Sequence, residues 1–137
     1  MAAFVLTSPV ITVNSVDLSD HVTSVTIDDS TADIDTTNFG SSGTHTRIGG
    51  LKDGGITIEF QQDYASGKVD STLWAARGTI ITCTVKATSS ATSATNPLYS
   101  GSYLVTATGA GVKGKVGDLA TTSVTWPRSG DLTRTTS

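Results

Sequence analysis

The stretch "HTRIGGLKDGGITIEFQQD" (residues 45–63) decides the fold class. From Gly55 onward it alternates polar and apolar residues in a period of two. The apolar side carries Ile56, Ile58 and Phe60, and the polar side carries Thr57, Glu59 and Gln61. Such alternation is typical of a β-strand that buries one face and exposes the other. We therefore predict a strand over residues 55–63 whose apolar face enters a core.

The two glycine pairs before this strand raise the question of a phosphate-binding loop. Such a loop needs a Gly-Lys-Ser/Thr sequence that opens a helix, so that backbone N–H groups and the lysine converge on the phosphate. Here Lys52 lies between the glycine pairs, and a strand follows. Asp53-Gly54 is a dipeptide typical of tight turns. We interpret the run from Gly50 to Gly54 as a turn that opens the strand.

The same alternation recurs along the chain, which is rich in Thr, Ser, Val and Ile. Five further segments show it: "VITVN" (10–14), "HVTSVTID" (21–28), "TIITCTVKA" (79–87), "YSGSYLVTATG" (99–109) and "ATTSVTWP" (120–127). Cys83 alternates with Ile81 and Val85, so we expect it to be an unreactive core residue. The pattern predicts an all-β fold, a β-sandwich.

One segment has helical spacing instead. "KVDSTLWAARG" (residues 68–78) predicts a short helix that flanks the sandwich, with Arg77 in its last turn and Gly78 just past its end. A short helix must bury its apolar stripe against a sheet. We expect Val69, Leu73 and Trp74 to pack on the core.

A long polar segment, "DSTADIDTTNFGSSGTHTRIGG" (residues 29–50), separates the second and third predicted strands. It is too long for an ordinary hairpin connection. We predict an irregular loop that becomes ordered by packing against a second copy of the chain. Its candidate contact residues are Asp33, Ile34, Asp35, Phe39, His45, Arg47 and Ile48.

Length and charge narrow the class of function. A chain of 137 residues suits one domain over 1–137, and we expect a flexible polar end at about 128–137. The net charge of −3 argues against a nucleic-acid-binding module, and no apolar run is long enough to span a membrane. Ten of the twelve acidic residues lie at Asp70 or before it, whereas six of the nine Lys and Arg residues follow it. This polarity suits either self-association or a solvated monomer.

No constellation of residues has the spacing that catalysis or metal binding requires. Asp28, Asp29, Asp33 and Asp35 lack the glycine and distal glutamate of a calcium loop. His21 and His45 lack the companions of a metal site or a hydrolase triad. We predict no metal, no cofactor and no enzymatic activity.

The order of these pieces resembles the tail tube subunit of siphophages, the phages with long non-contractile tails. The resemblance covers nearly the whole chain. Three segments carry it: "ITVNSVDLSDHV" (11–22), "RIGGLKDGGITIEFQQDYASGKVDSTLW" (47–74) and "GDLATTSVTWPRSGDLTR" (117–134). None of them is a catalytic signature, so order and spacing carry the match.

The resemblance implies a structural virion protein that forms stacked hexameric rings, in which strands from each subunit join into a continuous inner β-barrel. The viral DNA passes through the tube without specific binding. The implied partners are the chain itself and the tape measure, tail tip and tail terminator proteins, and the implied location is the virion tail after assembly in the host cytoplasm. The resemblance also implies that the long early loop, residues 29–50, reaches a neighbouring subunit or ring. We expect Thr57, Glu59 and Gln61 to face the lumen.

The alternative is a monomeric β-sandwich binding module, such as a virion decoration or carbohydrate-binding domain. It would need an aromatic platform on its surface. Our assignment of both Trp74 and Trp126 to the core disfavours it.

Overall fold

The computed structural model describes residues 3–137 and shows two antiparallel sheets packed as a sandwich. A five-stranded sheet has the order β2-β1-β5-β6-β8, and a three-stranded sheet has the order β3-β4-β7. The strands are β1 (Val10–Val13), β2 (Val16–Asp17), β3 (Val22–Asp35), β4 (Arg47–Gln61), β5 (Ile80–Lys86), β6 (Leu98–Leu104), β7 (Thr121–Pro127) and β8 (Thr133–Thr135). One helix, α1 (Val69–Ala75), and two short 3-10 helices (Ser19–His21 and Phe39–Ser41) complete the fold. The predicted all-β sandwich with one flanking helix is confirmed.

The core lies between the sheets and is built by the predicted alternation. Ile56, Ile58 and Phe60 of β4 are fully or almost fully buried, together with Val124 and Trp126 of the neighbouring strand β7. The other sheet contributes Ile11, Val13, Ile81, Cys83 and Tyr103. Because the side-chain period of a strand is two, the alternate residues of β4 and β7 must face away from this core.

Two buried side chains show how polar groups are satisfied there. The Trp126 indole Nε1–H donates to the carbonyl of Ala107 at 2.6 Å, and the Thr122 hydroxyl donates to the carbonyl of Gly109 at 2.7 Å. The segment after β6 therefore runs along the core side of β7. Burial raises the pKa of the Cys83 thiol to about 12, which fits an unreactive core cysteine.

The predicted long loop over residues 29–50 is wrong. β3 and β4 continue into this segment and pair from Asp28 opposite Gly55 to Asp35 opposite Arg47, so only the tip of the hairpin is irregular. The error arose because residues 29–35 are mostly polar and expose both faces, so Ala32 and Ile34 alone were too few to indicate a strand. In the structure the backbone N–H and C=O groups that each strand turns toward the other form hydrogen bonds with it. This pairing does not require a hydrophobic core.

The predicted turn at Gly50–Gly54 is also wrong, since all of these residues lie inside β4. Gly54 is there because two backbones approach closely. A Cβ at Gly54 would overlap the carbonyl oxygen of Asp28 on β3 and would lie 2.7 Å from Nη1 of Arg128. A Cβ at Gly55 would lie 2.7 Å from the carbonyl oxygen of Trp126 on β7. Glycine within a strand marks such an approach as readily as it marks a turn.

The predicted helix is present but shorter than expected, since it ends at Ala75 and leaves Arg77 beyond its last turn, and Trp74 departs from its assignment. Val69 and Leu73 are fully buried and Gly78 takes a left-handed φ of 75° just past the helix, as expected. Trp74 is 52% exposed, so its assignment to the core is wrong. The buried stripe follows the helical period and Trp74 lies one residue off it. The Arg77 guanidinium covers its ring instead, at 4.1 Å from the ring centroid.

The C-terminal segment, which we expected to be flexible, contains strand β8. Thr133, Arg134 and Thr135 pair with Ser100, Tyr99 and Leu98 of β6. Arg128, at the start of this segment, is buried.

Leu73→Ala is expected to lower the free energy of unfolding by about 2–5 kcal/mol, because it leaves a cavity beneath the helix. Denaturant unfolding monitored by tryptophan fluorescence measures the change. Trp74→Ala is the matched control, and its cost should stay within about 1 kcal/mol because it removes only an exposed ring and its cation–π contact. Equal losses from the two variants would contradict the assignment of the buried face.

Candidate assembly surface

The three-stranded sheet exposes a polar face opposite the core. Register places Ser24, Thr26 and Asp28 of β3 beside Glu59, Thr57 and Gly55 of β4, and places Ser123 and Thr125 of β7 beside Glu59 and Thr57. The hydroxyls of Thr57 and Thr125 lie 3.2 Å apart and form a hydrogen bond. The three predicted lumen residues, Thr57, Glu59 and Gln61, all lie on this face. The strands contribute two carboxylates to this face, from Asp28 and Glu59, and Lys113 lies beside Glu59 at the β7 edge.

A two-stranded arm, residues 29–54, projects from this sheet past the end of β7. We call it the β3–β4 arm. Its strands shift register between Thr31 and Asp33, and this brings Ile34 directly opposite Ile48. Both isoleucines are exposed, and so is Leu51 on the same arm. An ion pair with an N–O distance of 3.3 Å joins Arg47 to Asp33.

The tip of the arm is folded rather than loose. The Asn38 side chain accepts the Gly40 N–H at 2.8 Å, while the Ser41 hydroxyl accepts the Asn38 N–H at 3.0 Å, which caps the short helix at Phe39–Ser41. His45 Nδ1 lies 3.6 Å from a carboxylate oxygen of Asp35. This framework holds Phe39 fully in solvent, with a relative exposure of 109%. Removing such an apolar ring from water by contact with a partner would be favourable.

The arm is tied to the sandwich by Arg128, whose side chain is only 1% exposed. Its Nη2 donates to the Asp29 carboxylate at 2.8 Å, and its Nη1 donates to the Asp28 carbonyl at 3.4 Å. Its Nε donates to the Gly130 carbonyl at 3.0 Å. One guanidinium thus links the base of the arm, at Asp28 and Asp29, to Gly130 in the segment that follows β7. Gly54 supplies the space in which this group lies.

A second polar cluster lies at the opposite end of β3. His21 Nδ1 lies 2.8 Å from Asp20 Oδ1, and His21 Nε2 lies 2.8 Å from Asp63 Oδ2. Lys68 Nζ is 3.9 Å from the other Asp20 oxygen. The hydrogen bond to Asp20 and then that to Asp63 raise the pKa of His21 above its ordinary value of 6.5, against an opposing effect of burial.

The two carboxylates of this cluster shift in the opposite direction. The hydrogen bond from His21 lowers the pKa of Asp20. The pKa of Asp63 is lowered first by the N–H of Ala65 and then by His21. The cluster therefore joins the start of β3 to the segment after β4 through charged groups that stabilise one another.

Sites for other chemistry are not found in the described chain. Within residues 3–137 no group of three or more His, Cys, Asp or Glu side chains converges as a metal site. No helix in this range is long and apolar enough to cross a membrane.

Sequence reasoning located part of this surface and missed the rest. All of the predicted contact residues of the 29–50 segment lie on the arm or its tip. The role of Arg128 was not predicted, because its place in a polar tail suggested only one more solvated charge. Its signal was weak: a lone arginine directly after the buried "VTWP" strand. The pairing of His21 with Asp63 was also not predicted, because the two residues lie far apart in sequence.

Solved structures of gene transfer agent particles contain chains with this fold. A chain in the virion of a native gene transfer agent particle is 14% identical and superposes with a TM-score of 0.67, over 93% of this chain and 95% of that chain. A chain in the tail of an empty gene transfer agent particle, determined with C6 symmetry, is 13% identical with a TM-score of 0.63, over 84% of this chain and 82% of that chain. At this level of identity the similarity shows the fold. No known protein family and no curated protein matches the sequence.

Gly54→Ala is expected to destabilise the protein by about 1–3 kcal/mol, because the added methyl group overlaps the backbone of β3 and displaces Arg128. Gly49→Ala is the matched control within the same strand. There a Cβ would meet only the Thr31 methyl group, at 3.3 Å, and a small shift relieves the contact. Thermal unfolding of both variants measures the difference, and equal melting temperatures would contradict the close approach at Gly54.

The His21 cluster predicts a pH dependence with a definite sign. The folded-state pKa of His21 is raised. Its contribution to the free energy of unfolding is therefore complete below the unfolded pKa of about 6.5 and is lost as pH rises through the folded-state pKa. The contributions of Asp20 and Asp63 are present above about 3.8 and are lost as pH falls through their lowered values.

The wild type should therefore lose stability between about pH 6.5 and the raised folded pKa, and His21→Gln should lack this loss. Denaturant unfolding of both proteins across this range is the measurement. A parallel pH dependence in the two proteins would show that His21 is not the responsible group.

Proposed function

We propose that this protein is the subunit of a phage-like tail tube, which assembles into stacked hexameric rings in the virion tail. The observation that carries the proposal is the fold similarity to chains of gene transfer agent particles, one of them in a tail with C6 symmetry. The similarity spans most of the chain in each case. A structural rather than enzymatic role accords with it.

The open edges of the three-stranded sheet support assembly. An exposed strand edge invites pairing with another chain, and a closed ring removes both edges at once. The sheet ends in β3 on one side and β7 on the other. Joining the three-stranded sheets of successive copies would make one continuous barrel with a wide channel.

The polar face of that sheet suits the wall of a DNA conduit. Its strands carry Ser and Thr hydroxyls and the carboxylates of Asp28 and Glu59, while Lys113 lies beside Glu59 and Ser123 at the β7 edge. Lysine or arginine side chains on the wall would hold phosphate groups by releasing counterions, and a conduit must let the DNA slide. We propose that Thr57, Glu59 and Gln61 line the lumen, with the DNA passing without specific binding.

The β3–β4 arm provides a contact between rings. Its length carries Phe39, Ile34 and Ile48 beyond the body of the sandwich, where a neighbouring ring would bury them. Its tip is internally hydrogen-bonded, so burial costs little ordering entropy. The tape measure, tail terminator and tail tip proteins follow as further partners in the same proposal.

A monomeric glycan-binding module is the second candidate, because the exposed Trp74 offers one aromatic ring at the surface. The Arg77 guanidinium lies over that ring, however, and shields it from a sugar. Size-exclusion chromatography with negative-stain electron microscopy separates the two candidates. We expect rings or tubes, and a compact monomer that binds glycan would overturn the proposal.

Glu59→Lys is expected to leave assembly intact and to slow genome delivery at low salt. Solvated charges contribute little to stability, so tubes should form. In a ring with C6 symmetry the substitution replaces six negative charges at one level by six positive ones. These would bind phosphates in a salt-dependent way. DNA release from particles that carry the variant, followed at low and high salt, is the measurement.

Thr82→Lys is the matched control, because Thr82 lies on the outward face of the five-stranded sheet. It adds a positive charge away from the proposed lumen and should release DNA at the wild-type rate. If Glu59→Lys releases DNA normally at low salt, or if Thr82→Lys is the slow variant, we have assigned the wrong sheet to the channel.

A further inference from the structure

The free edge of β7 presents backbone groups in a definite pattern. Arg128 N–H donates to the Gly54 carbonyl at 2.9 Å, and Gln62 N–H donates to the Ala120 carbonyl at 3.0 Å. Even-numbered residues of β7 therefore turn their backbone groups toward β4, and odd-numbered residues turn them away. Thr121 uses its outward groups on Lys113. Those of Ser123 and Thr125 have no backbone partner in residues 3–137.

The free edge of β3 presents the complementary pattern. β4 uses its even-numbered residues on β7, so its odd-numbered residues Thr57 and Glu59 bond to β3, where they face Thr26 and Ser24. The intervening residues Val25, Ile27 and Asp29 must then turn their N–H and C=O groups outward. No other strand of the described chain pairs with this edge.

We propose that the ring closes by parallel pairing between the β7 edge of one copy and the β3 edge of the next. This inference rests on the proposed ring and names its interface. In parallel pairing, an outward residue such as Thr125 bonds to two residues that flank its neighbour, here Val25 and Ile27. Thr125 then lies beside Thr26, and the polar face continues across the interface.

Antiparallel pairing between the same two edges does not preserve the faces. Residues that exchange both hydrogen bonds lie directly opposite and share a face. Ser123 or Thr125, from the polar face, would then oppose Val25 or Ile27, from the core face. Apolar side chains would then be exposed to water beside the polar ones. This is unfavourable for the same reason that a one-residue register shift is unfavourable.

The strand directions agree with a cyclic ring. β3 and β7 both pair antiparallel with β4, so they run in the same direction. All copies in a cyclic ring have the same orientation about its axis. β7 of one copy therefore meets β3 of the next in parallel without further adjustment.

Charge favours this joining of unlike edges. Lys113 and Lys115 precede the start of β7, and neither forms a side-chain ion pair within residues 3–137. Asp17 and Asp20 precede the start of β3, and the Asp20 carboxylate, which contacts His21 and Lys68 of its own copy, is still 66% exposed. Because the two strands run in parallel, these starts lie at the same end of the interface. Lysines of one copy then face carboxylates of the next, whereas two like edges would repel.

The segment that carries these lysines also exposes apolar side chains. Val112, Val116 and Leu119 are all exposed in the connection between β6 and β7. A neighbouring copy on the β7 edge would cover part of this surface. The same segment thus offers both charge and apolar area to the next subunit.

Disulfide trapping tests the interface. Thr125→Cys is combined in separate variants with Ser24→Cys, Thr26→Cys or Asp28→Cys, which covers the registers that keep the polar faces together. Within one copy Thr57 lies between Thr26 and Thr125, so these two positions are about 9–10 Å apart and too far for a disulfide. Any bond must then join two copies. The native Cys83 is buried and does not interfere.

We expect one of the three variants to give a disulfide-linked ladder up to the hexamer on a non-reducing gel. Thr26→Cys with Thr82→Cys is the control, since Thr82 lies on the other sheet, and it should give no ladder. Rings in the microscope with no ladder from any variant would overturn this interface and leave the tube proposal standing. Monomers alone would overturn both.

A charge reversal tests the electrostatic part. Lys113→Glu with Lys115→Glu should raise the protein concentration needed for assembly about tenfold at low salt, with a smaller effect at high salt because of screening. The control is Lys86→Glu with Arg134→Glu, which makes the same change of charge on the five-stranded sheet. It should change the protein concentration needed for assembly less than the lysine variant does. Equal effects of the two double variants would show that net charge, and not this interface, is responsible.

Discussion

Strand β4 imposes the constraint on which the rest of the structure depends. It pairs with β3 on one side and β7 on the other, and its alternation sends Ile58 into the core and Glu59 to the opposite face. A shift of one residue would exchange the two faces. The register of β4 therefore fixes the core, the composition of the polar face and the residues of β3 and β7 that leave backbone groups free.

The same strand continues into an arm that has no core of its own. A two-stranded ribbon is marginally stable in isolation. Here Arg128 ties its base to the sandwich through Asp29 and the Asp28 carbonyl, and Gly54 leaves the space that this contact needs. The arm can then present Phe39 at a defined distance from the body. A positioned arm suits a repeating contact better than a flexible loop, because less entropy is lost on binding.

Fold and proposed assembly are linked through the edges of the three-stranded sheet. A monomer with two open edges is exposed to uncontrolled pairing. Parallel pairing of unlike edges satisfies their backbone groups, keeps one polar face around the channel and brings Lys113 and Lys115 near carboxylates of the next copy.

The sequence by itself determined the sandwich, the burial of Ile56 and Trp126, and the short helix, because strand and helix periodicity are local properties. It did not determine the arm, since a ribbon whose two faces are solvated is held by backbone pairing and shows only scattered apolar residues such as Ile34 and Ile48. Nor could it assign Gly54, which serves a turn in one context and a close approach of backbones in another. The pairing of Arg128 with Asp29 was decided only by the tertiary structure, because it joins residues that lie 99 positions apart and meet once β3, β4 and β7 have paired into one sheet.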